Sequence, residues 1–340
     1  MLPRLVLRAD GNAQIGLGHV VRLLALAEMV KAEFEAFAFV IRDPTPIVAQ
    51  LITDAGFELL AIKGPTGLPE AAMLASGYLH SNDVAVLDGY HFDSRYQETV
   101  RSSGCRVVVV DDVLAAPIVA DLIINHAPGI SPEHYKTVLP TTRFCLGPAF
   151  SLLRAPFRTH AHLPSIVEHI NSVVVCFGGA DPQQLTVRCL EALAKSAVIQ
   201  RISVVLGGAF MHDTALQRLI AQQPSVQISV VRNLPAPAMV ELLQAHDAVI
   251  CPASTVLLET LVLGCAAITG YYVENQQHLA DYVHTYRQAY SVGNFTELDS
   301  KKLEQQLLEG LAFHQTNLRQ PYVARLAPDA LRREFRRLLA

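Results

Sequence analysis

The stretch that most constrains the fold of this chain lies near its start, where a short apolar run is followed by a glycine-containing loop and a helix. The run, residues 5–7, is brief, branched and bounded by polar residues, which predicts a buried strand. Apolar residues recur at helical spacing from position 20 onwards, which predicts a helix beginning near Gly18 and His19. Glycines at positions 11, 16 and 18 allow the loop to turn sharply and to approach a ligand closely.

His19 is the candidate catalytic residue of this stretch. It stands in the first helical turn, where free N–H groups and the positive end of the helix dipole favour a neutral imidazole. A neutral imidazole at the ligand end of a parallel sheet is suited to accept a proton from water or from a hydroxyl group. A strand, a glycine loop and a helix also open many α/β domains, so a plain surface histidine is the alternative.

Strand-like and helix-like stretches alternate through both halves of the chain. The strand-like runs are residues 36–41, 57–62, 83–87, 105–110 and 122–125 in the first half, and 173–177, 202–206, 226–231, 248–251 and 266–269 in the second. This alternation predicts an α/β protein with two doubly wound parallel sheets. Residues 150–172 interrupt the rhythm and predict a connection between domains 1–155 and 156–340. Two such Rossmann-like domains facing across a cleft form the GT-B architecture of nucleotide-sugar enzymes.

Composition excludes several classes of function. With a hydrophobic fraction of 51% and a net charge of −4, the 340-residue chain is well buried and offers no basic surface for nucleic acid or for an anionic membrane. Arg8 and Asp10 interrupt the first apolar run too early for a signal peptide, and no run approaches the ~20 apolar residues that span a bilayer. None of the 6 cysteines forms C-x-x-C, which favours reduced core thiols. We therefore expect a cytoplasmic protein without a membrane span.

Polar residues follow the predicted strands of the first half, where ligands bind in a doubly wound fold. They are Arg8, Asp10, Asp88, Tyr90, Asp111 and Asn125. Arg8 and Gly18 are expected to contact the substrate together with His19. Asp111 and Asp112 have a simpler alternative, which is to satisfy backbone donors in a turn, and Asp93 is expected to cap a helix.

The second half repeats the theme with features suited to a phosphate. The pair Gly178 and Gly179 follows a strand and leaves backbone N–H groups open to an anion. Asp181 and Pro182 then predict a helix start, with the carboxylate as cap and the proline in the first helical position. Neither of these two residues needs a ligand to explain it.

A later helix start carries the candidate nucleotide-binding residues. Ser254 and Thr255 offer hydroxyls and free N–H groups to a phosphate, and Glu259 shares the face of Thr255 one turn later. That carboxylate is suited to accept two ribose hydroxyls, and a plain helix-surface glutamate is the alternative. Asn275 and Gln276 offer neutral donors and acceptors for sugar hydroxyls.

No metal or cofactor is predicted. The only metal-like spacing, His160 and His162, has no nearby carboxylate or thiolate, so solvated linker histidines explain it better.

Six segments together resemble a known family. They are RADGNAQIGLGHVVRLLALA, LDGYHFDSRYQ, LLRAPF, CFGGAD, ASTVLLETLVLG and YYVENQ, in this order from residue 8 to residue 276. They are similar to the UDP-2,4-diacetamido-2,4,6-trideoxy-β-L-altropyranose hydrolases of pseudaminic acid biosynthesis. The resemblance covers most of the chain up to about residue 281, and nothing is carried over to the segment after Phe295.

The resemblance implies a metal-independent hydrolase that removes UDP from the anomeric carbon of a UDP-linked amino or deoxy sugar. The residue matching His19 is the general base on water in that family, and UDP is held by the second domain. The implied substrate contacts are Arg22, Tyr90, Gly178, Gly179, Gln184, Glu259, Asn275 and Gln276. Gly89 stands where many members have a histidine, which leaves the identity of the sugar open.

Two other classes of function remain open from the sequence. A GT-B glycosyltransferase would use His19 on an acceptor hydroxyl instead of water. The lipid-linked N-acetylglucosaminyl transferases have similar glycine-loop and late glutamine features, but they usually present a basic, apolar membrane-docking patch in the first domain, and no clear patch of this kind is evident here. A UDP-sugar-binding protein without catalysis would leave His19 idle. The oligomeric state is open as well.

Overall fold

The chain forms two compact units, each built around one parallel β-sheet. A computed structural model describes residues 3–11, 17–114, 117–317, 319–322 and 326–340. One unit comprises residues 1–155 with 325–340, and the other comprises residues 156–324. The last helix therefore belongs with the first unit, whereas the sequence placed everything after residue 155 in the second domain. The physical reason is hydrophobic packing, because Leu331, Phe335 and Leu338 of that helix are buried in the core of the first unit.

The described residues of the first unit form seven strands. They are β1 Arg4–Ala9, β2 Ala36–Arg42, β3 Glu58–Ile62, β4 Val84–Asp88, β5 Arg106–Val110, β6 Leu122–Asn125 and β7 Arg143–Leu146. Their order in the sheet is β3-β2-β1-β4-β5-β6-β7, and all neighbours pair in parallel. The chain thus reverses its direction of growth between β1 and β4, and a doubly wound sheet has its binding crevice at that point.

Helices cover both faces of this sheet. They are α1 Gly18–Met29, α2 Pro46–Asp54, α3 Leu68–Gly77, α4 Ser94–Arg101 and the C-terminal helix Pro328–Leu339, with short 3₁₀ turns at Lys31–Glu33, Pro132–His134 and Pro148–Phe150. The short helix α5 Ala155–Thr159 begins at residue 155 and continues into the second unit. Leu5 and Leu7 of β1 join one core with residues of α1, whereas Val6 joins the opposite core with residues of α3 and α4. Because both faces are covered, the strands read as continuous apolar runs.

Six strands lie in the part of the second unit that the structure describes. They are β8 Ser172–Val175, β9 Arg201–Leu206, β10 Gln227–Arg232, β11 Ala248–Ile250, β12 Ala266–Tyr271 and β13 Tyr290–Asn294. The order β10-β9-β8-β11-β12-β13 is again parallel throughout, with the reversal between β8 and β11. The helices are α6 Leu185–Leu193, α7 Asp213–Ala221, α8 Ala236–Gln244, α9 Thr255–Val262, α10 Gln277–Thr285 and α11 Ser300–Thr316, with 3₁₀ turns at Glu274–Gln276 and Phe295–Glu297. The C-terminal helix of the first unit is then α12.

One of the two predicted helix caps is confirmed, and two of the four edge strands were missed. Asp93 accepts from the Tyr96 amide at 2.8 Å and caps α4, which confirms that prediction. The missed edge strands are β7, which contains no β-branched residue, and β13, in which Ser291 and Gly293 interrupt the apolar residues. The predicted helix start at Asp181 and Pro182 is wrong: α6 begins at residue 185, although the Asp181 carboxylate does accept from the first two amides of the helix at 2.8 Å each.

Candidate active site

The reversal point of the first sheet brings together two residues that are 69 positions apart. His19 is the second residue of α1, and Asp88 is the last residue of the neighbouring β4. His19 Nδ1 lies 2.6 Å from Asp88 Oδ1, and the carboxylate is fully buried. Because a carboxylate can only accept a hydrogen bond, Nδ1 must carry the proton, and the neutral ring then has its acceptor at Nε2. The arrangement is that of a base held in one tautomer by a buried carboxylate.

Arg22, one turn further along α1, holds the same carboxylate. Its Nε and Nη2 donate to the two Asp88 oxygens at 2.5 Å each, and Nη1 donates to Asp112 at 2.9 Å. Burial by itself would raise the pKa of Asp88, but the Arg22 charge outweighs that effect and the pKa is lowered. Asp88 is thus kept ionised. Burial also opposes the charge of Arg22, and the two carboxylates overcome it and raise the pKa of the guanidinium.

The implied role of Arg22 as a substrate contact looks different in this geometry. Its guanidinium is 7% exposed and engaged with Asp88 and Asp112, so its direct action is on the carboxylate behind His19. Tyr90 lies beside the histidine ring, with a T-shaped contact at 5.1 Å between ring centroids, and is 58% exposed. Gly18 is the first residue of α1, and a side chain there would meet nothing within 4 Å, so packing does not demand glycine. Of its loop, residues 12–16 lie outside the described residues.

Arg8 does not join this group. Side chains alternate across a strand, and Arg8 faces the opposite side of the sheet, where it donates to Glu70 at 2.7 Å and to Asp10 at 2.5 Å. Glu70 also accepts from Tyr96 at 2.7 Å and from Arg42. Burial opposes its ionisation, but the bond from Arg8 and its other partners lower the pKa of Glu70 to about 2. Since Arg8 is 1% exposed, the structure gives it a place in a buried ion cluster.

The reversal point of the second sheet brings the phosphate-type loops together. Gly178 and Gly179 follow β8 closely, and Ser254 and Thr255 stand where the adjacent strand β11 leads into α9. Gly207, after β9, packs directly on this loop, because a side chain there would come within 2.4 Å of the Gly179 Cα. Its amide donates to the Gly178 carbonyl at 3.2 Å. Gly207 is therefore glycine for close backbone approach, and it supports the Gly178–Gly179 turn.

The remaining predicted residues of this unit lie at the same edge or on α9. Gln184 is exposed, has a left-handed backbone with φ of 55° and precedes α6. Glu259 is 1% exposed, so the alternative of a plain helix-surface glutamate is wrong. Asn275 is exposed and Gln276 is partly buried in the 3₁₀ turn after β12, where the Gln276 side chain accepts from the Tyr272 amide at 3.2 Å.

Two residues of the first site were not singled out from the sequence. Asp112 was expected only to satisfy a turn. Asp111 does that, accepting from the amides of Val113 and Leu114 at 3.3 Å each, whereas Asp112 binds Arg22. The sequence offers little to distinguish Asp111 from Asp112, because the two aspartates follow the same strand side by side. His126, directly after β6, is the other, and the charges of Arg22, Asp88 and Asp112 act on it.

The part of the chain that the structure describes contains neither a metal-type cluster nor a membrane-spanning helix. Within it, no three His, Cys, Asp or Glu side chains gather in a way that would hold a metal ion. None of its helices is both long enough and apolar enough to cross a bilayer. Five of the six cysteines are buried and Cys265 is partly buried, which agrees with the predicted core positions.

Comparison with known proteins finds distant relatives. No protein-family model matches the chain. It is 24% identical over 286 residues to an uncharacterized protein of Methanocaldococcus jannaschii, covering 82% of this chain but only 57% of that protein. It is 23% identical over 273 residues to the spore coat polysaccharide biosynthesis protein SpsG of Bacillus subtilis, covering 79% of this chain and 77% of that protein. It is 19% identical over 282 residues to the UDP-2,4-diacetamido-2,4,6-trideoxy-β-L-altropyranose hydrolase of Campylobacter jejuni, covering 82% of this chain and 96% of that protein. The resemblance expected from the motifs is thus confirmed, as a distant one.

Solved structures match over nearly the whole chain. MurG of Acinetobacter baumannii superposes with a TM-score of 0.61 at 17% identity, over 97% of this chain and 99% of that one. The calicheamicin glycosyltransferase CalG4 superposes with a TM-score of 0.64 at 14% identity, over 100% of this chain and 99% of that one. Anabaena HepE, in complex with UDP, gives 0.59 at 11% identity over 99% of each. At these identities the likeness concerns the fold, and the predicted α/β fold of GT-B type, with two doubly wound parallel sheets, is confirmed.

Proposed function

We propose that this protein is an enzyme acting on a UDP-linked sugar, and that it hydrolyses the bond between UDP and the anomeric carbon. The observation that carries the proposal is the His19–Asp88 pair, whose Nδ1 to Oδ1 distance of 2.6 Å leaves Nε2 as the acceptor at the carboxyl edge of the sheet. The distant hydrolase and polysaccharide-biosynthesis relatives support the chemistry. The GT-B likeness, including a protein that binds UDP, supports the substrate class.

In the proposed reaction His19 is the general base. A water molecule gives a proton to Nε2 while its oxygen attacks C1 of the sugar, and the C1–O bond breaks with its electron pair leaving on UDP. Asp88 stabilises the imidazolium that forms, and Arg22 keeps Asp88 ionised. Tyr90, exposed beside the ring, and Gly18 at the helix start are proposed to contact the sugar. The first unit is thus the sugar-binding and catalytic domain of the proposal.

The second unit is the proposed UDP-binding domain. Gly178, Gly179, Ser254 and Thr255 would surround the diphosphate, since they follow two neighbouring strands at the reversal point and offer N–H and hydroxyl donors. Fixed donors of this kind stabilise the charge that develops on the departing diphosphate. The further contacts proposed are Glu259 on the ribose, and Gln184, Asn275 and Gln276 on the rest of the substrate.

Glu259 gives this assignment its own prediction. Glu259→Gln keeps the shape of the side chain but removes the charge that accepts two ribose hydroxyls. We expect UDP binding to weaken by about 2–3 kcal/mol, or roughly 30- to 150-fold in Kd, with the fold intact. Calorimetry with UDP and with uridine measures the effect, and the exposed Glu241→Gln in the same unit serves as a control. Unchanged affinity for UDP would remove Glu259 from the site.

The decisive experiment is release of free UDP from a panel of UDP-sugars, with EDTA present and with no acceptor added. We expect turnover on an amino or deoxy sugar. Release only after an alcohol acceptor is supplied would make the protein a glycosyltransferase, and tight UDP binding without release under either condition would make it a binding protein. Loss of turnover in EDTA that Mg²⁺ restores would contradict the metal independence that the family resemblance implies.

A further inference from the structure

His126 stands at the same edge of the first sheet as the proposed catalytic pair. It directly follows β6, which pairs with β5, which in turn pairs with β4. Because the carboxyl ends of parallel strands share one edge, the last residue of β4, Asp88, and the segments after β5 and β6 lie along it. The edge therefore carries Asp88, Asp112 and His126 after three successive strands. The proposed reaction uses the first of these through His19, and the second through Arg22.

The neighbours of His126 are fully engaged. Asn125 donates from Nδ2 to the Tyr135 hydroxyl at 2.8 Å and accepts at Oδ1 from the Ala127 amide at 2.8 Å. The Tyr135 hydroxyl donates in turn to Asp111 at 2.9 Å. These bonds fix the conformation of the backbone on both sides of His126.

His126 itself is left with an unsatisfied nitrogen. Its Nδ1 is buried and has no hydrogen-bond partner among the described residues, although the side chain as a whole is only partly buried. Burial, and next the positive charge of Arg22, lower the pKa of the ring, so it is neutral at neutral pH. A buried polar atom without a partner costs free energy, and such an atom in a native site calls for a bound partner.

We propose that His126 binds a neutral hydrogen-bonding substituent of the sugar, a hydroxyl or an acylamino group, and thereby sets sugar specificity. This inference rests on the proposed function. A neutral imidazole has one donor and one acceptor nitrogen, which suits either group. A phosphate does not suit the place, because Asp88 and Asp112 carry two negative charges near the ring against the single positive charge of Arg22.

The test is a double-mutant cycle in which one change is made in the side chain at position 126 and the other in a substituent of the sugar. The UDP-sugar preferred by the wild type is compared with deoxy analogues that each lack one hydroxyl or acylamino group, on the wild type and on His126→Phe. On the parent sugar, we expect His126→Phe to lower kcat/KM roughly 5- to 100-fold, mainly by raising KM. On the one analogue that lacks the group bound by His126, the wild type and His126→Phe should have nearly the same kcat/KM. Equal losses on the parent and on every analogue would overturn the proposal.

Two further variants separate specificity from folding. His126→Gln keeps a donor and an acceptor, so it should recover part of the affinity, and it serves for the cycle if His126→Phe does not fold. His134→Phe, an exposed histidine on the following 3₁₀ turn, should behave as wild type. A His126→Phe protein that folds and keeps wild-type kcat/KM on the parent sugar would show that Nδ1 serves only a buried water, and would overturn the proposal.

A binding measurement keeps this inference apart from the proposed reaction. The ratio of the affinity for the UDP-sugar to the affinity for UDP is measured by calorimetry, which needs no turnover. If the wild type releases UDP from no sugar, hydrolysis fails while this ratio still tests His126. A ratio that His126→Phe lowers by the same 5- to 100-fold supports the inference, and an identical ratio in the two proteins refutes it.

Discussion

Two buried carboxylates on opposite faces of the first sheet look alike but have different partners. Asp88 and Glu70 are both fully buried, both bind arginine side chains, and both have a lowered pKa. The Asp88 cluster also contains His19, whose Nδ1 is bound to the carboxylate and whose Nε2 is left as an acceptor. The Glu70 cluster holds Arg8, Arg42 and Tyr96 around a carboxylate that has three partners.

The difference teaches that buried charge alone does not mark an active site. A closed cluster of ions satisfies its own charges and stabilises one conformation of the chain. A catalytic cluster leaves one group with an unused donor or acceptor at the ligand edge of the sheet. We therefore expect changes on the Asp88 face to act on turnover, and changes on the Glu70 face to act on stability alone.

The largest expected effect is that of His19→Asn. The change keeps polarity and approximate size but removes the basic nitrogen, so kcat should fall about 10²- to 10⁴-fold while the UDP-sugar still binds. Stopped assays of UDP release give the rate, and calorimetry gives the affinity. The control is His80→Asn, an exposed histidine near the opposite end of β4, which should be silent. A near-normal kcat in folded His19→Asn would refute the assignment.

The next effect tests the other face. Glu70→Gln leaves Arg8 and Arg42 beside a neutral side chain in a buried place, which should lower the free energy of unfolding by about 3–5 kcal/mol. Denaturant titration measures this, and kcat per folded molecule should be unchanged. Asp88→Asn is the matched change on the first face, and it should lower kcat as well. Comparable loss of kcat in both variants would break the distinction between the clusters.

Acid should affect the Glu70 cluster in a defined window. The pKa of Glu70 is about 2 in the folded chain against an ordinary 4.5, so the unfolded chain takes up the proton first as pH falls. The stabilisation is complete above pH 4.5 and is lost as pH falls towards 2, a change of roughly 3 kcal/mol. Unfolding measured across this window should show a shallower pH dependence in Glu70→Gln than in the wild type. If the free energy of unfolding had the same pH dependence in both proteins, the contacts of Glu70 would not lower its pKa.

The smallest effect concerns the outer carboxylates of the two clusters. Asp112→Asn weakens one of the bonds that hold Arg22, so kcat should fall roughly 2- to 10-fold, with little change in unfolding. Asp10 has the equivalent position beside Arg8, and Asp10→Asn should leave kcat as it is. Slower turnover in Asp112→Asn alone would support the different roles proposed for the two clusters. An equal loss of kcat in Asp10→Asn would contradict them.

Local pattern was enough to predict the fold and the position of His19 in it. The alternation of strands and helices predicted two parallel-sheet α/β halves, because apolar periodicity records which faces of each element are covered. The same pattern placed His19 in the first turn of α1, and the glycine pair 178–179 after a strand. It missed β7, which has no β-branched residue, and β13, whose apolar residues Ser291 and Gly293 interrupt, and it could not assign α12 to the first unit.

Only the tertiary structure decided which polar residues meet. Arg8 and Asp88 both stood at strand ends in the sequence, yet Arg8 pairs with Glu70 62 positions away, and Asp88 meets His19 69 positions away. The reason is the order and register of the strands: Ala9 pairs with Asp88 and Arg8 pairs with Leu87, so Arg8 and Asp88 point to opposite faces. Periodicity within one segment carries no information about its neighbour in the sheet. The chemistry of this site therefore depends on contacts that no local pattern contains.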